Sequence, residues 1–163
     1  MRLIAKVLPG LVGALLLAGV SWILGLGDML MNEVRLGRLE RSFAALQDPA
    51  GTERIRLESR VGLLSGNGNH CDYFVGELRV TAKPLAEVLA AYVGATVREP
   101  MRGEASEVYV GEVKGQEIDD LPMPYELSSV VSWTRGATIP EGSRLYLVGF
   151  FANEEANGDL RCH

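Results

Sequence analysis

Two dipeptides mirror each other across the chain: His70-Cys71 and Cys162-His163. They hold every histidine and cysteine in the sequence. Brought together, they would offer two sulfurs and two imidazoles, a tetrahedral zinc ligand set. The local spacing opposes that reading. Neighbouring residues of a strand point to opposite faces, so His70 and Cys71 do not readily share one ion. Structural zinc uses C-x2-C or H-x3-H pairs, and neither occurs here. The preferred expectation is one disulfide, Cys71–Cys162, as two cysteines in an exported domain suggest. It would close a loop of about 90 residues and stabilise by roughly 4 kcal/mol at most on the chain-entropy model. His70 and His163 would then be bystanders at the rim of a sheet.

Ser65, His70 and Asp72 carry the residue types of a nucleophile, a base and an orienting acid. Such a triad is made by tertiary geometry, and no G-x-S-x-G elbow accompanies it. An oxidised Cys71 is no thiolate nucleophile either. Asn153 to Asp159 places oxygen side chains at alternate positions with Gly158 at a turn, in the manner of a calcium loop. It begins with Asn, however, and the chain stops before a closing bidentate glutamate, so a hairpin turn on Asn157-Gly158 is the stronger reading. Gly66-Asn67-Gly68 opens no helix and is not a dinucleotide fingerprint. No cofactor is expected.

The elements that must position these residues begin with an apolar segment. After Arg2 and Lys6, Val7 to Gly27 runs for 21 residues without a charge, and Asp28 ends it. A hydrocarbon core about 30 Å thick needs roughly 20 apolar residues at 1.5 Å each. Residues 1–27 are therefore read as a signal anchor, a single-pass transmembrane helix. The alternative is a signal peptide cleaved near Gly27, releasing a secreted domain; the run is longer than the 7–15 residues of a signal peptide core. Basic residues flank both ends, with Arg2 and Lys6 closest to the apolar run. That closeness and the cysteine pattern place residues 28–163 on the extracytoplasmic side.

Residues 28–47 read as a juxtamembrane helical stalk in which Leu30, Met31, Val34, Leu39, Phe43 and Leu46 recur at near-helical spacing. The stripe would pack on its own domain or support self-association. Residues 48–163 form the exported domain. Arg54–Leu64 alternates as an amphipathic strand, and Tyr73–Thr81 is a second. Pro84 opens a helix whose apolar face is Leu85, Val88, Leu89, Tyr92 and Val93, and Gly94 stops it. Val108–Val113, Val130–Arg135 and Arg144–Ala152 are further strands, with a short strand carrying Cys162 last. Gly115–Pro124 is an acidic loop, and Leu121–Tyr125 within it is a recognition loop or a rigid connection. The order β-β-α-β-β-β predicts an α+β domain, an antiparallel sheet with one packed helix.

Residues 28–163 contain all 21 acids against 14 of the 16 bases, a formal charge of −7. That balance disfavours nucleic acid and anionic lipid headgroups as partners. The expected function is a membrane-anchored, exported, non-catalytic domain that binds a partner or supports an envelope process. The alternative is an envelope hydrolase or metal-dependent enzyme centred on His70, Cys71 and Asp72.

Overall fold

The computed structural model describes residues 2–23, 25–66, 68–114, 117–118 and 139–163. Helix α1 spans Arg2–Ile23 and α2 spans Leu26–Ala44. The apolar run Val7–Gly27 is thus divided between two helices, a correction to the single segment expected over residues 1–27. At the break Gly25 takes φ +73°, a left-handed conformation that ends the hydrogen-bond ladder of α1. Among the described residues no single helix is long and apolar enough to cross a membrane. Val12–Trp22 and Leu26–Ala44 qualify only as a pair, bent by 66°.

The helix expected over residues 28–47 therefore starts two residues earlier, with Asp28 in its first turn, where a carboxylate suits the positive end of the helix dipole. Its expected apolar stripe divides. Leu36, Leu39 and Phe43 are buried, together with Asn32, at spacings of four, three and four. Leu30, Met31 and Val34 lie on another side and are exposed.

Strands β1 (Thr52–Gly62) and β2 (His70–Thr81) follow, then α3 (Leu85–Ala91). Among the described residues, strands β3 (Thr96–Arg98) and β4 (Ala105–Glu107) pair only with each other. Strand β5 (Tyr109–Lys114), the two-residue β6 (Glu117–Ile118) and β7 (Arg144–Glu155) complete the strands among the described residues. The main sheet is antiparallel in the order β1-β2-β7-β5, with β6 at the outer edge. The architecture is α+β, as the element order implied.

Strand β2 is buried along nearly its whole length, and its period of two feeds two cores. Cys71, Tyr73 and Val75 face α2 together with Tyr146, Val148 and Phe150 of β7. Phe74, Leu78 and Val80 join Leu145 and Leu147 on the opposite face. Gly76 is paired with Gly149. The ring of Phe74 lies over that pair: a Cβ on Gly76 would come within 2.6 Å of Phe74 Cζ.

Four local expectations are corrected. The β1–β2 register shifts between Arg54 and Arg56, which breaks the strict alternation: Ile55 packs against the core of Phe74 and Leu78, Val61 against the opposite core, and Leu57 is exposed. The apolar face of α3 is narrower than read: Val88 and Tyr92 are buried, while Leu89 and Val93 are exposed. Asn153 to Glu155 extend β7 rather than forming a turn. Leu160–Cys162 is a 3-10 turn, not a strand, because the Asp159 side chain accepts from the Arg161 N–H and caps it. The strand expected at Val130–Arg135 and the loop Leu121–Tyr125 lie outside the described residues, as does most of Gly115–Pro124.

Candidate functional site

Asn32 has no exposed surface, although it sits on the sheet-facing side of α2. Its Nδ2 donates to Asp159 Oδ2 at 3.0 Å and to Asn157 Oδ1 at 3.2 Å. Its Oδ1 accepts from Tyr73 Oη at 2.7 Å, Arg35 Nη1 at 2.9 Å and Asn157 Nδ2 at 3.0 Å. A buried amide uses its full hydrogen-bonding capacity in this way because an unpaired polar group in the core costs about 1–3 kcal/mol. One side chain therefore joins α2, β2 and the C-terminal turn.

Asp159 is buried and takes a forked interaction from Arg161, with Nη2 at 2.7 Å from Oδ2 and Nε at 3.0 Å from Oδ1. Burial pushes the Asp159 carboxyl up, but the Arg161 side chain, the Arg161 N–H and Asn32 outweigh it and hold the group at about 2. Arg161 reaches on to Glu33 and to the Met29 carbonyl of α2. Burial raises the Tyr73 hydroxyl, which stays a neutral donor to Asn32.

Cys71 and Cys162 lie beside this network, both buried, at disulfide-bonding distance with Cα atoms 4.6 Å apart. Sulfur and carboxylate atoms of Cys71, Cys162 and Asp159 lie within 4.8 Å of one another, yet the set does not fit a zinc ion. Sulfurs joined to each other offer no thiolate, and the carboxylate is committed to Arg161. The histidines turn elsewhere. His163 Nε2 lies 2.7 Å from the Asn157 carbonyl, and its Nδ1 contacts Asn69. His70 sits on the face of β2 opposite Cys71 and meets Ser65.

Ser65, His70 and Asp72 do come together. A catalytic relay places the acid on one ring nitrogen and the serine on the other. Here one nitrogen, His70 Nε2, faces all three partners: Ser65 O at 2.8 Å, Ser65 Oγ at 3.1 Å and Asp72 Oδ2 at 3.2 Å. The Ser65 hydroxyl donates to Asp72 Oδ2 at 2.9 Å, which also accepts from the N–H groups of Leu64 and Ser65 at 2.9 and 2.8 Å. This is a clamp on the chain leaving β1. The geometry orients no nucleophile.

The calcium reading meets a similar obstacle. Asn153, Glu154 and Glu155 alternate across β7, and Asp159 belongs to Arg161, so their oxygens do not converge. Burial raises the Glu154 carboxyl.

Asn32 and Arg79 escaped the reading of the sequence. Arg79, with 2% of its side chain exposed, pairs with Glu77 and with Asp48 at 2.8 Å. Asn32 had a signal, a single polar residue in an otherwise apolar helical stripe; Arg79 shares its strand with Glu77 two residues earlier, an opposite charge on the same face. Compared with protein-family models, curated proteins and solved structures, the chain matches none.

Proposed function

We propose that the chain is a membrane-tethered, extracytoplasmic binding domain that works through its surface rather than through a catalytic centre. The observation that carries this reading is the elbow between α1 and α2. Gly25 lies so close to the C-terminal turn that a Cβ on it would meet the Gly158 carbonyl at 1.8 Å. Asp28 Oδ2 accepts from the Gly158 N–H at 3.1 Å. Cleavage near Gly27 would cut the first turn of α2 and remove a residue seated in the domain. This supports retention of α1, whose 22 residues extend about 33 Å, as the anchor. The cysteine pair at disulfide distance supports an oxidising compartment. The Ser65–His70–Asp72 geometry supports a structural role for the residues on which hydrolase chemistry would depend.

Alkaline extraction of membranes carrying the full chain tests the tether. The chain should stay in the membrane pellet with residues 1–27 intact. A soluble product beginning at Asp28 would overturn the reading.

A further inference from the structure

At 100° per residue, Leu30, Val34, Arg38 and Arg41 share the side of α2 opposite Asn32, Leu36, Leu39 and Phe43. Leu30 is 68% exposed and Val34 49%. Gly27 lies on the same outward side, and Trp22 of α1 covers it: a Cβ on Gly27 would sit 2.6 Å from the indole. Gly25, against Gly158, lies on the domain side. So α1 leaves the elbow on one side of α2, and the domain is packed on the other.

This geometry has a consequence if α1 crosses a membrane, as the reading above holds. A 66° bend then lays α2 close to the membrane surface with its outward face toward lipid. Between Leu26 and Arg38 the helix advances about 18 Å along its axis but only about 7 Å along the membrane normal.

The arginines at the far end of that face do not stand alone. Arg38 and Arg41 line a cleft of about 340 Å³ together with Arg98 and Arg102 of the β3–β4 hairpin. The hairpin is pinned to α2 by the Arg98 N–H, which donates to Ser42 Oγ at 2.9 Å. Among the described residues Arg38 and Arg41 make no ion pair. Among the described residues the Arg98 guanidinium reaches only the Gly103 carbonyl, at 3.3 Å, and Arg102 lies 3.9 Å from Glu154. Glu99, the one acid lining the cleft among the described residues, accepts from Ser106 Oγ at 2.6 Å. Guanidinium groups match phosphate oxygens in pairs. The net negative charge of the domain does not cancel this patch, because charges beyond about 8 Å are screened at physiological salt.

We propose that the outward face of α2 rests in the membrane headgroup layer and that the four-arginine cleft binds the phosphate of an anionic phospholipid. Leu30 and Val34 enter the boundary, and the arginines engage headgroups, as in an interfacial amphipathic helix.

Hydrogen exchange on the full chain in vesicles tests this. In phosphatidylcholine containing a minority of phosphatidylglycerol, amides 38–42, 98–99 and 101–103 should exchange more slowly than in phosphatidylcholine alone. Each arginine engaged should contribute about fivefold in occupancy. The double variant Arg98→Gln/Arg102→Gln should lose the difference while the amides of β2 and β7 remain protected. Equal exchange in both vesicles, or an unchanged difference in the variant, would overturn the proposal. Equal protection of α2 in both would point to a second copy of the chain and would also overturn it. Protection by inorganic phosphate in detergent, without any in anionic vesicles, would reassign the cleft to a soluble phosphate ester. The amides of Val12–Trp22 report on the tether separately. If they are protected in both vesicles, only the cleft proposal is at stake; if they exchange freely, the tether fails first.

Discussion

Asn32 of α2 donates a 3.0 Å hydrogen bond to Asp159, 127 residues further along the chain. The bond closes the domain on itself: the helix that leaves the elbow is held by the last turn before the C-terminus. Replacing Asn32 with Leu keeps the branched shape and the number of side-chain heavy atoms but leaves Asp159 and the Tyr73 hydroxyl short of a partner. The expected loss is on the order of 3 kcal/mol, read as a lower urea midpoint at unchanged slope. Asn32→Asp should be worse, because it sets a second carboxylate against Asp159.

The cysteine pair acts on the same junction. Cys71→Ser/Cys162→Ser should lower the thermal midpoint, with at most roughly 4 kcal/mol lost from a closed loop of this length. Intact mass after non-reducing alkylation checks the premise. Two labelled thiols in protein from its native compartment would show that the bridge does not form there.

Acid should loosen the C-terminus in a defined window. Asp159 titrates at about 2 in the folded chain against an ordinary 3.8. Its folded value is depressed, so the stabilisation is present above about pH 4 and is lost as pH falls through 2, on the order of 2 kcal/mol in all. Urea midpoints measured across that range should show the decline, and Asp159→Asn, less stable at neutral pH, should flatten it.

Gly76 supplies a test of the sheet. A methyl group there meets Phe74 Cζ at 2.6 Å and the Val148 carbonyl at 3.3 Å. Gly76→Ala should cost about 1–3 kcal/mol through displacement of the ring. The double change Gly76→Ala/Phe74→Leu should recover part of the overpacking term.

The sheet was legible because its signal is short-range. The period-two runs around β1, β2 and β7 and the Pro84–Gly94 bracket of α3 lie close to the observed elements. The elbow was not. Gly25 is one of several glycines in an apolar run, and what selects it is the close approach of Gly158, a contact no local pattern contains. The β3–β4 hairpin has strands too short to alternate. The turn at Leu160–Cys162 depends on Asp159, whose charge is held by Arg161 and Asn32 together. Ser65, His70 and Asp72 lie close in the sequence, but only the shared ring nitrogen distinguishes a turn clamp from a relay.

The most direct measurement of the central claim is a pair of reporters fused after His163 in the full chain, one active only outside the cytoplasm and one only inside. A tethered extracytoplasmic domain predicts activity of the outside reporter alone, in the membrane fraction. Activity of the inside reporter alone would contradict the topology and the redox environment on which the role of Cys71 and Cys162 rests.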